Sequence, residues 1–484
     1  MGISYVWAEV LGLLITSFML YRSWFAPLAR LPGPLICSMT RLPLMYHEFH
    51  GDRRLFIHSL HMQYGPVVRV APNEVSYATR EAVKEIYASG GSGYDKSSFY
   101  SLFQNFETGN MFSTLQKDEH AAVKKQFAER YSKIHVSKPE VSSVIQENVD
   151  AFMSRATERL GASVDIYDLL HCFSLDGITG HLFHPSGLHS QSDPKDHKFM
   201  EELSYSSGLR RAYFRHYFPT LWWVYSKVTG VTRRRGVSGL VDAYVLKTAR
   251  EATVDPHTVL DKLRTADARN PQRPALLSAS ECMDHLAAGI DTTGDGLCFL
   301  MHHLSRPTPA SRRVQEKLRE ELVQHPGKSL DDLPYLDAVV KEGLRVFSPI
   351  PMSFPRVVPS GGRVVDGVPL PGGTIVSCQP YTLHRFDTDV FPDPDEFVPE
   401  RWLAAERAAE RNQLFFAFAA GGRGCIGKHL ALLEMKLLLR DVYSTYRTRV
   451  APDMVASMEQ DDQTISSRPK GRKCLVTFEK LNDF

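Results

Sequence analysis

Phe418-Ala419-Ala420-Gly421-Gly422-Arg423-Gly424-Cys425-Ile426-Gly427 is a glycine-rich turn that holds one cysteine, with an arginine two residues before it. An apolar run at helical spacing follows over residues 430–439, so the amino end of a helix points back at the turn. The four glycines let the backbone take positive φ and pass close to a large flat ligand. Successive amide N–H groups and the start of a helix favour a thiolate over a thiol. A thiolate in a tight apolar turn suits the axial position of an iron that must promote O–O cleavage. Taken alone, such a cysteine reads more simply as an inert buried side chain than as a ligand.

The complete spacing Phe-x-x-Gly-x-Arg-x-Cys-x-Gly is met at Phe418, Gly421, Arg423, Cys425 and Gly427, and it resembles the haem-binding signature of the cytochrome P-450 family. The resemblance implies that family's fold, mainly α with a small β part in a single large haem domain. It makes Cys425 the iron ligand of haem b (iron protoporphyrin IX), with Phe418 and Gly427 beside it. A second stretch agrees. Ala288-Gly289-Ile290-Asp291-Thr292-Thr293 lies within a helical pattern over residues 278–304, and small Ala288 and Gly289 leave room for a ligand against the helix. Asp291 and Thr292 place an acid and a hydroxyl there, a pair suited to relaying protons. An isolated Asp-Thr reads more simply as a solvated helix face. The hexapeptide is similar to the family's oxygen-activation motif, which implies that Thr292 steadies bound oxygen and Asp291 connects it to water.

Glu342-Gly343-Leu344-Arg345 sets a carboxylate and a guanidinium three apart on one helix face, a spacing that contributes only ~0.3–0.5 kcal/mol as a surface pair. Its companion is Phe397-Val398-Pro399-Glu400-Arg401-Trp402. By resemblance, Glu342, Arg345 and Arg401 form a buried ionic triad near the cysteine turn, structural and not catalytic. Haem propionates require cations with directional donors. Family positions supply Arg423 and Arg356, the latter in Phe354-Pro355-Arg356. Where many members have Trp-x-x-x-Arg, this chain has His120-Ala121-Ala122-Val123-Lys124. His120 and Lys124 then offer a donor and a charge without a planar fork, and a solvated helix face is the alternative for Lys124.

The 484 residues exceed the usual single-core size, yet no linker-like stretch divides them. A net charge of +2 argues against nucleic acid as a partner. The dense basic cluster Arg233-Arg234-Arg235 reads as a solvated loop or lipid-facing patch. Seven cysteines are scattered singly without Cys-x-x-Cys, which indicates neither zinc knuckle nor redox dithiol and fits a reducing compartment. Residues 3–21 are apolar apart from Glu9 and a few small polar side chains, and Arg22 and Arg30 come after them. That order suits an uncleaved signal-anchor with its carboxyl side cytosolic, rather than a cleaved signal peptide. The expected organisation is an N-terminal membrane anchor over 1–24, a proline-rich hinge over 25–34 and a haem-thiolate catalytic domain over 35–484. A single-pass protein of the endoplasmic reticulum membrane, with its catalytic domain facing the cytosol, follows.

Residues 55–64 read as a helix, 67–70 and 75–77 as a hairpin around Pro72-Asn73, 139–160 and 168–182 as helices, and 361–376 as small strands. Residues 89–118, rich in Gly, Ser and aromatics without a period, read as one long loop. The stretch from Tyr64 to Ser76 resembles filamentous-fungal members of the family, many of which act in secondary metabolism. The resemblance implies a monooxygenase that uses O2 and electrons from NADPH to oxidise an apolar small molecule. No flavin or nicotinamide motif occurs, so an NADPH-dependent flavoprotein reductase must be a separate partner, steered by Lys124, Lys125 and Lys428. Pocket segments by family position are 97–112, 210–225, the helix around Ala287, and 350–354. Residues 218–223 suit a lipid surface. Desaturation or ring formation in place of hydroxylation stays open. Peroxide rearrangement and a non-catalytic haem sensor also stay as alternatives, against which Thr292 and its motif argue.

Overall fold

A computed structural model of the chain describes residues 27–88, 93–205, 208–229, 239–270, 272 and 276–481, with eight scattered positions before Pro27. Helix takes 57% and strand 10%, so the fold is mainly α with a small β part, as expected. Its axis is the helix Leu277–Ser305, 29 residues long. Leu297, Cys298, Phe299 and Leu300 follow one another and so point to successive sides of the helix, and all four are buried. A helix apolar on several sides has no solvent face to offer, so it runs through the interior.

Against this central helix lies Ile166–Phe183, in which every residue except Asp168 is buried. Asp165 caps it by accepting from the Tyr167 amide at 3.1 Å. Pro139–Ala156 packs on Ile166–Phe183 in turn, and Lys428–Thr445 runs against Pro139–Ala156 and Pro334–Val346. One core joins these helices, from Met111 to Phe478.

The β part is a five-stranded sheet in the order Val67–Ala71, Glu74–Tyr77, Ile375–Cys378, Arg356–Val357, Asp95–Lys96. The first two strands form the expected antiparallel hairpin, with Val68 opposite Ser76. Glu74–Tyr77 then pairs in parallel with Ile375–Cys378, far along the chain. Residues 27–34 lie against this sheet. Leu28 is buried with Val75 and Tyr77, and the Arg69 amide donates to the Pro32 carbonyl at 2.8 Å.

Residues 89–118 are more regular than their lack of period suggests. They contain the strand Asp95–Lys96 and a 3-10 helix, Ser98–Phe103. Aromatic burial sets this, since Phe99, Tyr100 and Leu102 close over Tyr213 from another segment. The helix begun at Pro139 ends at Ala156 and not at residue 160, because Leu160 is exposed and no core contact extends it. The anchor stretch over 1–24 lies mostly outside the described residues, and so does Arg233-Arg234-Arg235. Among the described residues, no helix is long and apolar enough to cross a membrane.

Candidate active site

The cysteine turn closes on itself. The Cys425 amide donates to the Phe418 carbonyl at 2.8 Å, and the Gly424 amide to Gly421 at 3.0 Å. Gly421 sits at φ +67°, and the Tyr87 carbonyl oxygen occupies the place a Cβ would take, so only glycine passes there. Lys428–Thr445 begins directly after Gly427, and the Gly427 and Lys428 amides point at the Cys425 sulfur. Burial pushes the Cys425 thiol up; the two amides and the ammonium groups of Lys124 and Lys428 oppose that shift without overcoming it. Cys425 is exposed where the other six cysteines are buried. A sulfur that touches open space yet is desolvated borders an internal cavity and not the outer surface.

The facing wall is the central helix. Ala288 is exposed, and Ala287, Gly289, Asp291 and Thr292 are half-buried, in a helix closed by neighbours on both sides of that turn. Tyr131 spans the two walls: its hydroxyl lies 2.8 Å from His285 Nδ1, and Cys425 is among the groups that act on it. Thr292 Oγ1 donates to the Ala288 carbonyl at 2.7 Å. Asp291 accepts from Ser204 Oγ at 3.3 Å. Among the described residues no hydrogen bond joins Asp291 to Thr292. Burial first, and the Asp295 carboxylate next, raise the Asp291 acid to about 6.

Cations make the third side. Strand register puts Lys96 directly opposite Arg356, and like charges facing across a sheet are destabilising unless an anion joins them. Lys96 was not predicted from the sequence: it carries no motif, and only the strand pairing gives it a place. Arg356 Nη1 donates to Tyr100 Oη at 2.9 Å and the Pro355 carbonyl at 3.1 Å, and Arg423 Nη2 to the Tyr94 carbonyl. Arg356 Nε and Arg423 Nη1 stay buried with no hydrogen-bond partner. Burial, then Arg356, pull the Arg423 guanidinium down to about 10. Burial and then Arg356 also hold Lys96 well below the usual lysine range. His120 is driven to about 3 by burial, then by Lys96 and Lys124, so it is neutral and offers an N–H but no charge. Lys124 donates to the Gly422 and Gly424 carbonyls at 2.9 and 3.3 Å, which ties Lys117–Lys125 to the turn. Orphaned buried guanidinium N–H groups, a thiol facing a cavity and a helix bare of side chains at one turn fit a flat dianionic macrocycle with a central metal. That is the haem expected from the sequence.

Glu342, Arg345 and Arg401 meet as expected. Arg345 Nε and Nη2 donate to Glu342 at 2.9 Å, and Arg401 Nε at 3.0 Å. His384, which the sequence did not single out, carries this network to the turn. Its Nδ1 donates to the Arg345 carbonyl at 3.0 Å, and its Nε2 accepts the Phe416 amide at 2.9 Å.

Two of the expected pocket segments come together. Phe99 stacks on Tyr213 at 6.4 Å between centroids, and Arg215 Nη2 donates to the Leu102 carbonyl at 2.6 Å. Phe354 is buried in the sheet-side core, where its carbonyl accepts from the Tyr87 hydroxyl at 2.7 Å, and Met352 is buried as well. A separate cleft of about 350 Å³ opens between residues 78–81 and 386–389 and holds none of the predicted residues.

Comparison with known proteins agrees with this geometry. The chain is 28% identical over 490 residues to cytochrome P450 monooxygenase hkm5 of Aspergillus hancockii, covering 94% of this chain and 92% of that one. It is 28% identical over 479 residues to cytochrome P450 monooxygenase stcB of Emericella nidulans, covering 94% and 89%. With cytochrome P450 monooxygenase lcsI of Purpureocillium lilacinum the identity is 30% over 445 residues, covering 87% and 84%. The cytochrome P450 family model matches residues 31–476, so the chain belongs to the cytochrome P450 family, as a monooxygenase.

Proposed function

We propose that the protein is a haem-thiolate monooxygenase that draws electrons from NADPH through a separate flavoprotein reductase and oxidises an apolar small molecule of secondary metabolism. The observation that carries this reading is the meeting around one cavity of Cys425, the opened turn at Ala288 and the cations Lys96, Arg356 and Arg423. Thiolate-ligated haem iron supplies cleavage of the O–O bond and transfer of one oxygen atom to substrate, the other leaving as water.

Within that chemistry the chain's residues divide the work. Cys425 ligates the iron through its sulfur, and Phe418 and Gly427 shape the turn around it. Arg356, Arg423 and Lys96 hold the propionates, with the His120 N–H and Lys124 at the margin. Ala288 keeps the helix clear of the macrocycle. Thr292 donates its own proton to the Ala288 carbonyl, which leaves its oxygen lone pairs free to accept a proton-bearing partner. Asp291, raised to about 6, is an acid that holds and releases a proton near neutral pH. Glu342, Arg345 and Arg401 keep the turn in place.

Membrane attachment through residues 1–24 at the endoplasmic reticulum, with a cytosolic catalytic domain, belongs to the same proposal. Trp7, Leu13 and Tyr21 are exposed, which supports a segment that finds its apolar partner in lipid. Leu221, Trp223 and Val228, exposed on Pro219–Thr229, support a second lipid contact. The reductase docks on the cysteine side, where Lys125 and Lys428 are exposed.

The test begins with the reduced CO complex. The wild type should show the red-shifted band of a thiolate-ligated haem, and Cys425→Ala should lose it. A band that survives Cys425→Ala and vanishes on replacing Cys378 or Cys474 would overturn the ligand assignment. Failure to consume NADPH with a reductase and extracted metabolites present would leave a haem-binding sensor in place of the enzyme.

A further inference from the structure

Next to Asp291 stands a buried polar set that the reaction described so far does not use. Asp295 follows Asp291 by one helical turn, so both carboxylates project from one face of Leu277–Ser305. Facing them is His171, wholly buried in Ile166–Phe183. A Cβ at Gly294 would stand 3.0–3.1 Å from three atoms of the His171 ring, so the imidazole rests on bare helix backbone that glycine alone leaves open. His171 Nδ1 lies 2.7 Å from the Tyr167 carbonyl, which can only accept, so Nδ1 carries a proton. Nε2 is thereby directed at Asp295 Oδ1, 3.4 Å away. Neither of these two atoms has a hydrogen-bond partner elsewhere. Each is the other's nearest polar companion in a buried setting, where a lone charge is costly.

Asp291 has further neighbours. Ser204, at the end of Pro194–Ser204, donates its hydroxyl to Asp291 Oδ1 at 3.3 Å. The Ser204 carbonyl accepts from Arg468 Nη1 at 3.0 Å and from the Tyr167 hydroxyl at 3.4 Å. The groups that face Asp291 are therefore Asp295 on its own helix, His171 and Tyr167 on the flanking helix, Ser204, and Arg468 on the strand Ser467–Pro469.

We propose that His171, seated on Gly294 and paired with Asp295, is a positioning residue that sets how readily Asp291 gives up and regains its proton. The inference rests on the reading above, in which Asp291 serves Thr292. With Asp291 protonated, the set carries one imidazolium against one carboxylate. When Asp291 releases its proton, a second carboxylate must be borne in the same interior. Asp295 opposes that charge from one turn away, and His171 and Arg468 relieve it. Burial leads and Asp295 follows in lifting Asp291 to about 6, and His171, Arg468 and Ser204 keep it from rising further. Burial works against charge on His171, but its contact with Asp295 and then Asp291 outweigh that and raise the imidazole. An acid near 6 keeps roughly a tenth of its protons at pH 7, where an ordinary aspartic acid keeps about a thousandth. That difference is what a proton donor at this place requires.

The experiment follows the Asp291 carboxyl itself in the resting holoenzyme, by the infrared band of the protonated acid that Asp291→Asn removes. Its midpoint is expected near pH 6 in the wild type. Asp295→Asn takes away the opposing charge, and His171, stripped of its counter-charge, discharges in its buried seat. The midpoint should then fall by about one pH unit, a tenfold smaller protonated fraction at neutral pH. His171→Gln removes a group that holds Asp291 down, so its midpoint should rise above the wild type's, and the double variant should sit where Asp295→Asn alone does. The alkaline limit of product formed per NADPH should follow the midpoint, down in Asp295→Asn and up in His171→Gln. A wild-type midpoint at the ordinary aspartate value overturns the inference, whatever the variants do. So do single variants that lose stability while midpoint and coupling profile stay put, since the pair would then be a structural tie. If Asp291→Asn leaves product per NADPH unchanged at every pH, the oxygenase role of Asp291 itself fails. If it collapses coupling while Asp295→Asn moves nothing, the role of the pair alone fails.

Discussion

Glu342→Gln keeps the size of a side chain and removes one charge at the most crowded polar junction in the molecule. Glu342 Oε2 accepts from Arg345 Nε and Trp402 Nε1, both at 2.9 Å. Oε1 accepts from Arg345 Nη2 and the Val398 amide at 2.9 Å and from Arg401 Nε at 3.0 Å. A carboxamide has one acceptor oxygen and turns two donors toward the other side. Whichever way it is placed, at least two of these five donors meet a donor. Hydrogen bonds to charged groups contribute about 1.5–3 kcal/mol each, so two lost bonds cost about 3–6 kcal/mol. Removing one side of a buried ion pair costs about 3–5 kcal/mol by a separate route. The two figures agree, and we expect a loss of about 3–5 kcal/mol against a typical total of about 5–15. Guanidinium titration followed by tryptophan fluorescence reads the loss. The haem absorbance should fail first, because Arg345 also donates to the His384 carbonyl at 3.0 Å and His384 holds the Phe416 amide at the entrance to the cysteine turn. A loss below about 1 kcal/mol with haem content unchanged would refute the reasoning.

Thr292→Ala should still bind substrate and accept electrons, while product per NADPH falls by about 10²–10⁴-fold and hydrogen peroxide rises; unchanged coupling would reduce Thr292 to a helix residue. Lys96→Met removes one anchor for a propionate and also a like charge facing Arg356. Haem transfer to an acceptor protein should quicken about tenfold or more, by the ~1.5–3 kcal/mol of one charged hydrogen bond, and apoprotein stability should fall as well, because Lys96 Nζ also donates to the Met111 and Phe112 carbonyls at 3.2 and 2.7 Å. An unchanged transfer rate would remove Lys96 from the site. Burial lifts the Glu434 carboxyl to about 8. The folded state therefore holds a proton that the unfolded chain releases near pH 4.3, and stability falls as pH rises from there to about 8, by up to about 1.4 kcal/mol per unit. Glu434→Gln lacks that slope, so its advantage over the wild type should grow across the window and level off above it. Denaturation curves offset equally at pH 5 and pH 8 would contradict the assignment.

Residue order alone carries the parts whose chemistry is contiguous. Cys425 is legible because four glycines, an arginine and a helix start lie within ten residues of one another, and the backbone hydrogen bonds that close the turn are local; only the Tyr87 contact, the Lys124 bonds and the bond from Arg423 to Tyr94 reach outside it. The bare turn at Ala288 is legible for the same reason, since missing side chains are visible without a partner. Glu342, Arg345 and Arg401 were found through two short motifs, yet their burial came only with the fold. Residues 89–118 defeated the reading, because Phe99 and Tyr100 take their places from Tyr213 and not from any period of their own. Lys96, His384, His171 and Asp295 take their roles from packing between distant segments. Lys96 is one lysine among many until the strand register sets it opposite Arg356. His171 is an ordinary helical histidine until Gly294 of another helix receives its ring. Periodicity reports which face of an element is apolar, but a charge takes its meaning from what stands across from it, and in an interior of low polarizability that neighbour decides whether it is ionised at all.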